Sequence, residues 1–239
     1  MTERRFRVDG PLVLGAWSPL SADTQHHVRV LRLSAGEVIT LFDGRGTTAT
    51  ATLERDGARI ASVHVDEAPG ARVVLMMGMP RASVLDAALR DLTEVGVSEV
   101  RPFFADRSTV KDERDRAAHK MERWLRIVQE ASRQCERLHE PLVFAPTSMR
   151  EVLAQRPPAS QLLMLDARAG EDLVAQLAGP TREVWLVIGP EGGLSEKEMT
   201  TLREAGAHGA RLRLPVLRAE TAAVVITALV VEHLARHAT

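Results

Sequence analysis

The spacing of apolar positions changes character near residue 70. Up to that point it alternates with the short period of strands. Residues 38–42 (Val-Ile-Thr-Leu-Phe) have strand composition, and Asp43-Gly44-Arg45-Gly46 is a turn signal. Strands are expected to continue over 47–53 and 60–65, so residues 1–68 read as mainly β. Residues 66–70 (Asp-Glu-Ala-Pro-Gly) are polar and end in Pro-Gly, the composition of a linker.

From Arg72 onward the pattern predicts strands alternating with helices. Residues 73–77 form a short buried strand. Residues 84–95 are helical, with apolar side chains at 85, 88, 89 and 92. A strand lies within 97–104, and 114–138 is a long helix with Trp124, Val128, Ala131 and Cys135 on one stripe. That stripe predicts Cys135 to be core. Further strands are predicted at 162–165, 184–188 and 210–214. Ser148 with Glu151, and Ser195 with Glu198, have capping-box spacing and mark helix starts. The last helix, around 222–231, is apolar nearly all round, so it is buried on more than one side, either in the core or at a contact with a second copy. Strands alternating with helices predict a mostly parallel sheet covered on both faces, an α/β domain over 72–239.

Composition narrows the functional classes. The chain has 239 residues, 45% of them hydrophobic, enough for a sizeable core. Aromatics make up 3% and Tyr is absent, which argues against an aromatic base-stacking surface. The formal net charge of −1 means that any nucleic-acid contact must come from a local patch. The single cysteine excludes a disulfide framework within the chain and any cysteine-rich metal site. His26 and His27 are neighbours with no third ligand in view, so no metal is expected. No apolar signal core follows Met1-Thr2-Glu3-Arg4-Arg5, and the run 222–231 is too short to span a bilayer, so a soluble cytoplasmic protein is expected.

Two loops carry the candidate chemistry. Gly189-Pro190-Glu191-Gly192-Gly193 follows the predicted strand 184–188, and in parallel α/β sheets ligands bind beyond the carboxyl ends of strands. Glycines let backbone approach a ligand closely. The loop lacks the Gly-Lys-Ser/Thr ending of a phosphate-binding loop and the G-x-G-x-x-G of dinucleotide sites. Glu191 would also repel an anion, so a neutral or cationic ligand fits better. The alternative is a tight turn with glycines for geometry alone. The second loop, 212–221, sets Arg218 and Glu220 just before the last helix. They are either a structural ion pair with a helix-start Glu, or working groups.

Taken together, these segments resemble the RsmE-type family of SPOUT methyltransferases, which methylate N3 of a uridine in 16S ribosomal RNA. The resemblance runs through Arg4-Arg5-Phe6, His26-His27-Val28-Arg29-Val30-Leu31-Arg32-Leu33 and Leu41-Phe42-Asp43-Gly44. It continues through Thr93-Glu94-Val95-Gly96-Val97, Arg107-Ser108, Glu130-Ala131-Ser132-Arg133-Gln134-Cys135-Glu136-Arg137 with Pro141, and the two loops. It implies a PUA-like RNA-binding β-barrel over 1–68 and a SPOUT domain over 72–239. That domain would carry a C-terminal trefoil knot, a cofactor site and a dimer interface. It also implies S-adenosylmethionine as cofactor, 16S rRNA or the small ribosomal subunit as substrate, and a homodimer. The sequence departs from the family at Val84 and Asp91, where lysines are usual, and at Arg213, where a glycine is usual.

On this reading the methyl donor is held by backbone at Leu165, at Leu186, Ile188, Gly189 and Gly193, and at Leu212, Leu214 and Leu217. Arg218 supplies positive charge to the base oxygens, and Glu191 or Glu220 helps remove the N3 proton. Arg4, Arg5, Arg7, Arg29 and Arg32 form the candidate RNA patch. Arg133 and Arg137, on the long helix near its end, either reach RNA or solvate the helix. Two other functions remain open: an RNA-binding ribosome-assembly factor without turnover, and a ribose 2'-O-methyltransferase of the same fold.

Overall fold

The structure, a computed structural model, describes residues 4–80, 82–108, 117–166, 169–177 and 181–237. The chain divides into two compact units. The first comprises Met1–Ala68 and Gln129–Glu140; the second comprises Pro69–Val128 and Pro141–Thr239.

The first unit contains β1 (Arg5–Arg7), β2 (Trp17–Pro19), α1 (Ala22–Val30), β3 (Val38–Phe42), β4 (Thr47–Leu53) and β5 (Gly57–Val65). These strands form a five-stranded sheet in the order β1-β3-β4-β5-β2, with β1 parallel to β3 and the remaining pairs antiparallel. The period of two decides what faces inward. Phe6, Ile39, Leu41, Ala49, Ala51 and Ile60 meet in one apolar core. The Asp43 carboxylate closes the β3–β4 turn by accepting from Arg45 N–H (2.8 Å) and Thr47 N–H (3.0 Å). Helix α1 leaves no periodic trace in the sequence because only Val28 of its residues is buried. Residues 129–140 complete this unit. Gly46 N–H donates to Leu138 O and Glu140 N–H to Gly44 O, at 3.0 and 2.9 Å.

The second unit contains β6 (Arg72–Gly78), α2 (Ala82–Glu94), β7 (Glu99–Phe104), α3 (Ala117–Gln134, its last residues in the first unit), β8 (Leu142–Val143), β9 (Thr147–Ser148) and α4 (Met149–Ala154). It continues with β10 (Gln161–Leu165), α5 (Leu173–Gln176), β11 (Glu183–Ile188), α6 (Glu196–Glu204), β12 (His208–Ala210) and α7 (Ala219–Arg236). Its seven-stranded sheet runs β12-β10-β11-β6-β7-β8, with β9 beside β7, and every pair is parallel. Strands buried on both faces explain the unbroken apolar runs of β6 and β11. One face packs Leu75, Met77, Leu89, Trp124, Leu186 and Ile226. The other packs Met76, Phe103, Trp185 and Val187 against Met199 and Leu202 of α6.

Both expected capping boxes form, at Ser148/Glu151 and Ser195/Glu198. Two expectations change. The strand expected over 210–214 stops at Ala210, and Leu212 and Leu214 belong to a loop that turns back toward α7. Cys135 lies just past the end of α3 and is half-buried, with its thiol 3.8 Å from Ser132 O; the apolar stripe ends one turn before it. The start expected at Arg114 for the long helix lies outside the described residues. Helix α7 packs on α2, β6 and β11 and leaves Leu229 exposed.

Trp124 tests how tightly α3 is held. Its indole is buried and its Nε1–H donates to Asp86 on α2 at 3.0 Å. Trp124→Ala is expected to destabilise the second unit by about 3–5 kcal/mol, read as a lowered urea midpoint; a shift under about 1 kcal/mol would show that this contact is peripheral.

Candidate functional site

The order of the parallel sheet creates the site. The chain runs outward from β6 through β7 to β8, then returns to lay β10, β11 and β12 on the other side of β6. The reversal leaves a crevice at the carboxyl ends of the strands, where doubly wound sheets bind ligands. A cavity of about 940 Å³ lies there, within the range of roughly 300–1,000 Å³ usual for small-molecule sites.

The first wall follows β11. Ile188 is buried, and the chain then turns sharply, with Gly193 N–H donating to Pro190 O at 2.7 Å and Gly193 at φ +70°. A residue with a side chain would be strained at that φ. Pro190 lies over the end of β6, so close that a Cβ on Gly78 would stand 2.5 Å from Pro190 Cδ. The capping box at Ser195 then starts α6 and fixes the far end of the loop.

The second wall follows β12. Asp166 N–H donates to Ala210 O, and Leu173 N–H to Arg211 O, each at 3.0 Å. Arg211 and Arg213 both pair with Asp172, whose carboxyl is held below the usual range, mainly by the hydrogen bond from Arg213. The Arg213 departure thus has a local partner on the protein. Arg218 is the N-cap residue of α7 and makes no capping bond with its side chain, while Glu220 sits in the first turn, where the helix dipole favours an anion.

Most of the sequence-derived pocket residues come together. Leu165, Ile188, Gly189, Glu191, Gly193, Leu212, Leu214, Leu217, Arg218 and Glu220 all line the cavity. Leu186 does not; it is mid-strand in the core, paired to Leu163 and Leu75. Among the described residues Arg218 has no carboxylate partner, so the structural Arg–Glu pair considered from sequence does not form. Sequence reasoning passed over Arg107, Met164, Asp166 and Met199 as pocket residues. For Arg107 the only signal was the Arg107-Ser108 pair in the family pattern.

The arginines of the first unit divide into tied and free. Arg5 is only 8% exposed, stacked over the Phe42 ring at 4.7 Å, with Nε and Nη2 buried and unpartnered, so it does not present its guanidinium at the surface. Arg4 pairs with Glu37, and Arg7 with Glu140 and Asp9. Burial holds the Glu140 carboxyl above its usual range against the pull of Arg7. Burial lowers the pKa of Arg137. Arg29 and Arg32 are exposed. Arg133 Nη1 lies 3.0 Å from His27 Nδ1, a geometry that needs the neutral ring with its proton on Nε2. Among the described residues no group of three His, Cys, Asp or Glu is placed to hold a metal ion.

A parallel α/β unit with a cavity of this size over its strand ends is the arrangement in which such folds hold a small-molecule ligand. The model of the RNA methyltransferase domain matches residues 66–231, and that of the RNA methyltransferase PUA domain matches 20–65; the chain belongs to this RNA methyltransferase family. The expected α/β class with an N-terminal PUA-like unit is therefore met. A ribosomal RNA small subunit methyltransferase E of Mycobacterium bovis is 29% identical over 235 residues, 94% of this chain and 90% of that protein. The ribosomal RNA small subunit methyltransferase E of Neisseria gonorrhoeae, solved bound to S-adenosyl methionine, has a TM-score of 0.85 and 30% identity, covering 95% of this chain and 96% of that one. A Legionella pneumophila methyltransferase in complex with bound SAM also has a TM-score of 0.85, at 28% identity and 97% and 98% coverage.

Two predictions follow from local geometry. Gly78→Ala should push Pro190 off the end of β6, accelerating amide hydrogen exchange at Gly193 while exchange in β7 stays slow; unchanged protection at Gly193 would show that the strand end yields freely. His27 titrates below the ordinary histidine value of 6.5, first through burial, then through Arg133 and His26. Protons therefore prefer the unfolded chain, so the contribution of His27 to stability is full above about pH 6.5 and declines as the pH falls below it. His27→Gln should flatten the loss of thermal midpoint between about pH 7 and pH 5, and an identical profile in the variant would refute the assignment.

Proposed function

We propose that this protein uses S-adenosylmethionine to methylate N3 of a uridine in the 16S ribosomal RNA of the small subunit. The observation that carries the reading is the cavity between the glycine loop and the 212–218 loop, with Arg218 in its lining and without a carboxylate partner among the described residues. The donor set fits that cofactor. Leucine, isoleucine and alanine side chains offer apolar surface to an adenosine, and loop N–H and C=O groups offer hydrogen bonds. Glu191, Glu220 and Asp166 in the lining suit a cationic ligand and disfavour a phosphorylated one.

S-adenosylmethionine supplies a methyl group on a positively charged sulfur, already electrophilic without a metal. The chain's own tasks are therefore orientation and proton removal. Backbone of residues 188–193 and 212–217 would hold the cofactor and orient its methyl group toward the base, and fixed orientation can supply much of the rate. The N3 proton must leave for the nitrogen to attack. Glu191 or Glu220 takes it, directly or through water, while Arg218 stabilises the charge that develops on the base oxygens.

The N-terminal segment 1–68, completed in the first unit by 129–140, serves as the RNA-binding module through Arg29, Arg32 and the neighbouring cations, and the second unit carries methyl transfer. We further propose a homodimer, supported by exposed Leu214, Val216 and Leu229 in the second unit. The 211–218 segment is proposed to close a trefoil knot, supported by its return from the edge strand β12 to an α7 packed on β6 and β11. The protein is proposed to act in the cytoplasm; no helix of the described residues is long and apolar enough to cross a membrane.

The test is methyl transfer onto purified small subunits lacking the modification, followed by mass mapping of the product. The expected product is a base-methylated uridine, and Arg218→Ala should lower kcat by roughly two to three orders of magnitude with little change in cofactor affinity. A methyl on ribose would replace the uridine-N3 reading with sugar chemistry. Subunit binding with no heat on titration of S-adenosylmethionine would leave an assembly factor without turnover.

A further inference from the structure

Arg107 is the pocket cation that the reading above leaves without a task. It stands on the loop after β7, and its side chain lines the cavity from outside the two loops. The loop that carries it is unusually well anchored. Asp106 N–H donates to Glu198 Oε1 at 3.0 Å, and the Asp106 carboxylate accepts from Ser195 Oγ at 2.6 Å. Ser108 Oγ donates to Met79 O at 3.1 Å, and Ser108 N–H to Ala105 O at 2.9 Å. Bonds on both sides of Arg107 thus tie it to the start of α6 and to the end of β6, while Arg107 itself stays exposed.

Among the described residues its guanidinium makes one hydrogen bond, from Nη1 to Gly192 O at 3.3 Å. Among the described residues no carboxylate pairs with it, so most of its five N–H donors are unengaged. A guanidinium fork held on a fixed base with donors to spare matches an anion with several oxygens, above all a phosphate. Its place supports the same choice. Gly192 and Glu191 are exposed, so Arg107 stands at the mouth of the cavity, where the backbone of a nucleotide remains when its base goes in. Glu191 next to Gly192 would repel that phosphate, and Arg107 is the charge positioned to offset it.

We propose that Arg107 binds the backbone phosphate next to the target nucleotide and, through its hydrogen bond to Gly192 O, couples RNA docking to the glycine loop that lines the methyl-donor cavity. This rests on the RNA methyltransferase reading of the pocket. Coupling of this kind is reciprocal: bound RNA raises affinity for the methyl donor, and the donor raises affinity for RNA.

Two substitutions separate charge from bracing. Arg107→Gln keeps an N–H donor for Gly192 O but removes the charge; Arg107→Lys keeps the charge. Binding of unmodified small subunits is measured over a salt series with and without S-adenosylmethionine, alongside calorimetry with S-adenosylmethionine alone. The Gln variant is expected to bind S-adenosylmethionine alone as the wild type does, to lose about tenfold or more in subunit affinity, and to show a log–log salt slope shallower by about 0.7–0.9. It should also lose the mutual enhancement between donor and RNA. The Lys variant should recover the slope. An unchanged slope in the Gln variant, or donor affinity lost in both variants with RNA binding intact, would overturn the proposal by making Arg107 a loop brace only. Wild-type protein that binds neither subunits nor S-adenosylmethionine would instead sink the methyltransferase reading itself.

Discussion

The cavity exists because two pieces of main chain approach more closely than side chains permit. Pro190 sits over the carboxyl end of β6, and it can do so because position 78 has no Cβ. That contact sets the direction in which the chain leaves β11. The Pro190–Gly193 turn and the cap at Ser195 then bring the chain into α6. The space left open faces the second loop. The pocket is thus a by-product of strand order and of one close backbone approach. The side chains that line it are mostly apolar filler around backbone polar groups.

The charged groups follow a different logic in each unit. In the first, arginines are mostly committed to the protein: Arg5 to the Phe42 ring, Arg7 to Glu140, Arg133 to His27. Exposed pairs such as Arg4 with Glu37 contribute little to stability, typically under about 1 kcal/mol. At the cavity Arg107 and Arg218 have no carboxylate partner among the described residues, although three acids share the lining. Both are exposed, so the cost of leaving them unpaired is small, and their donors stay available to a ligand.

The α/β alternation, both capping boxes and the glycine loop were legible in the sequence because each rests on local periodicity or on residues a few positions apart. Most pocket residues were legible through family resemblance together with the rule about strand ends. What escaped is non-local. Helix α1 was invisible because only one of its residues faces the core. The strand expected over 210–214 was overread because Leu212 and Leu214 keep an alternating apolar pattern while facing a cavity. Arg5 read as surface because an arginine stacked on a buried ring has no sequence signature. Arg107 was quoted as part of a pattern, but its role depends on Gly192, eighty-five residues away.

Residues 129–140 have a bearing on how the chain is made. They hydrogen-bond to the β3–β4 turn through Leu138 and Glu140, yet they follow the first two strands of the second unit. In chain order, β6, β7 and most of α3 are therefore made before the segment that completes the N-terminal sheet. A fragment cut at the 66–70 linker would leave that turn and the Glu140 side of Arg7 uncovered. A chimera joined at the linker would therefore lack the 129–140 segment that completes its first unit.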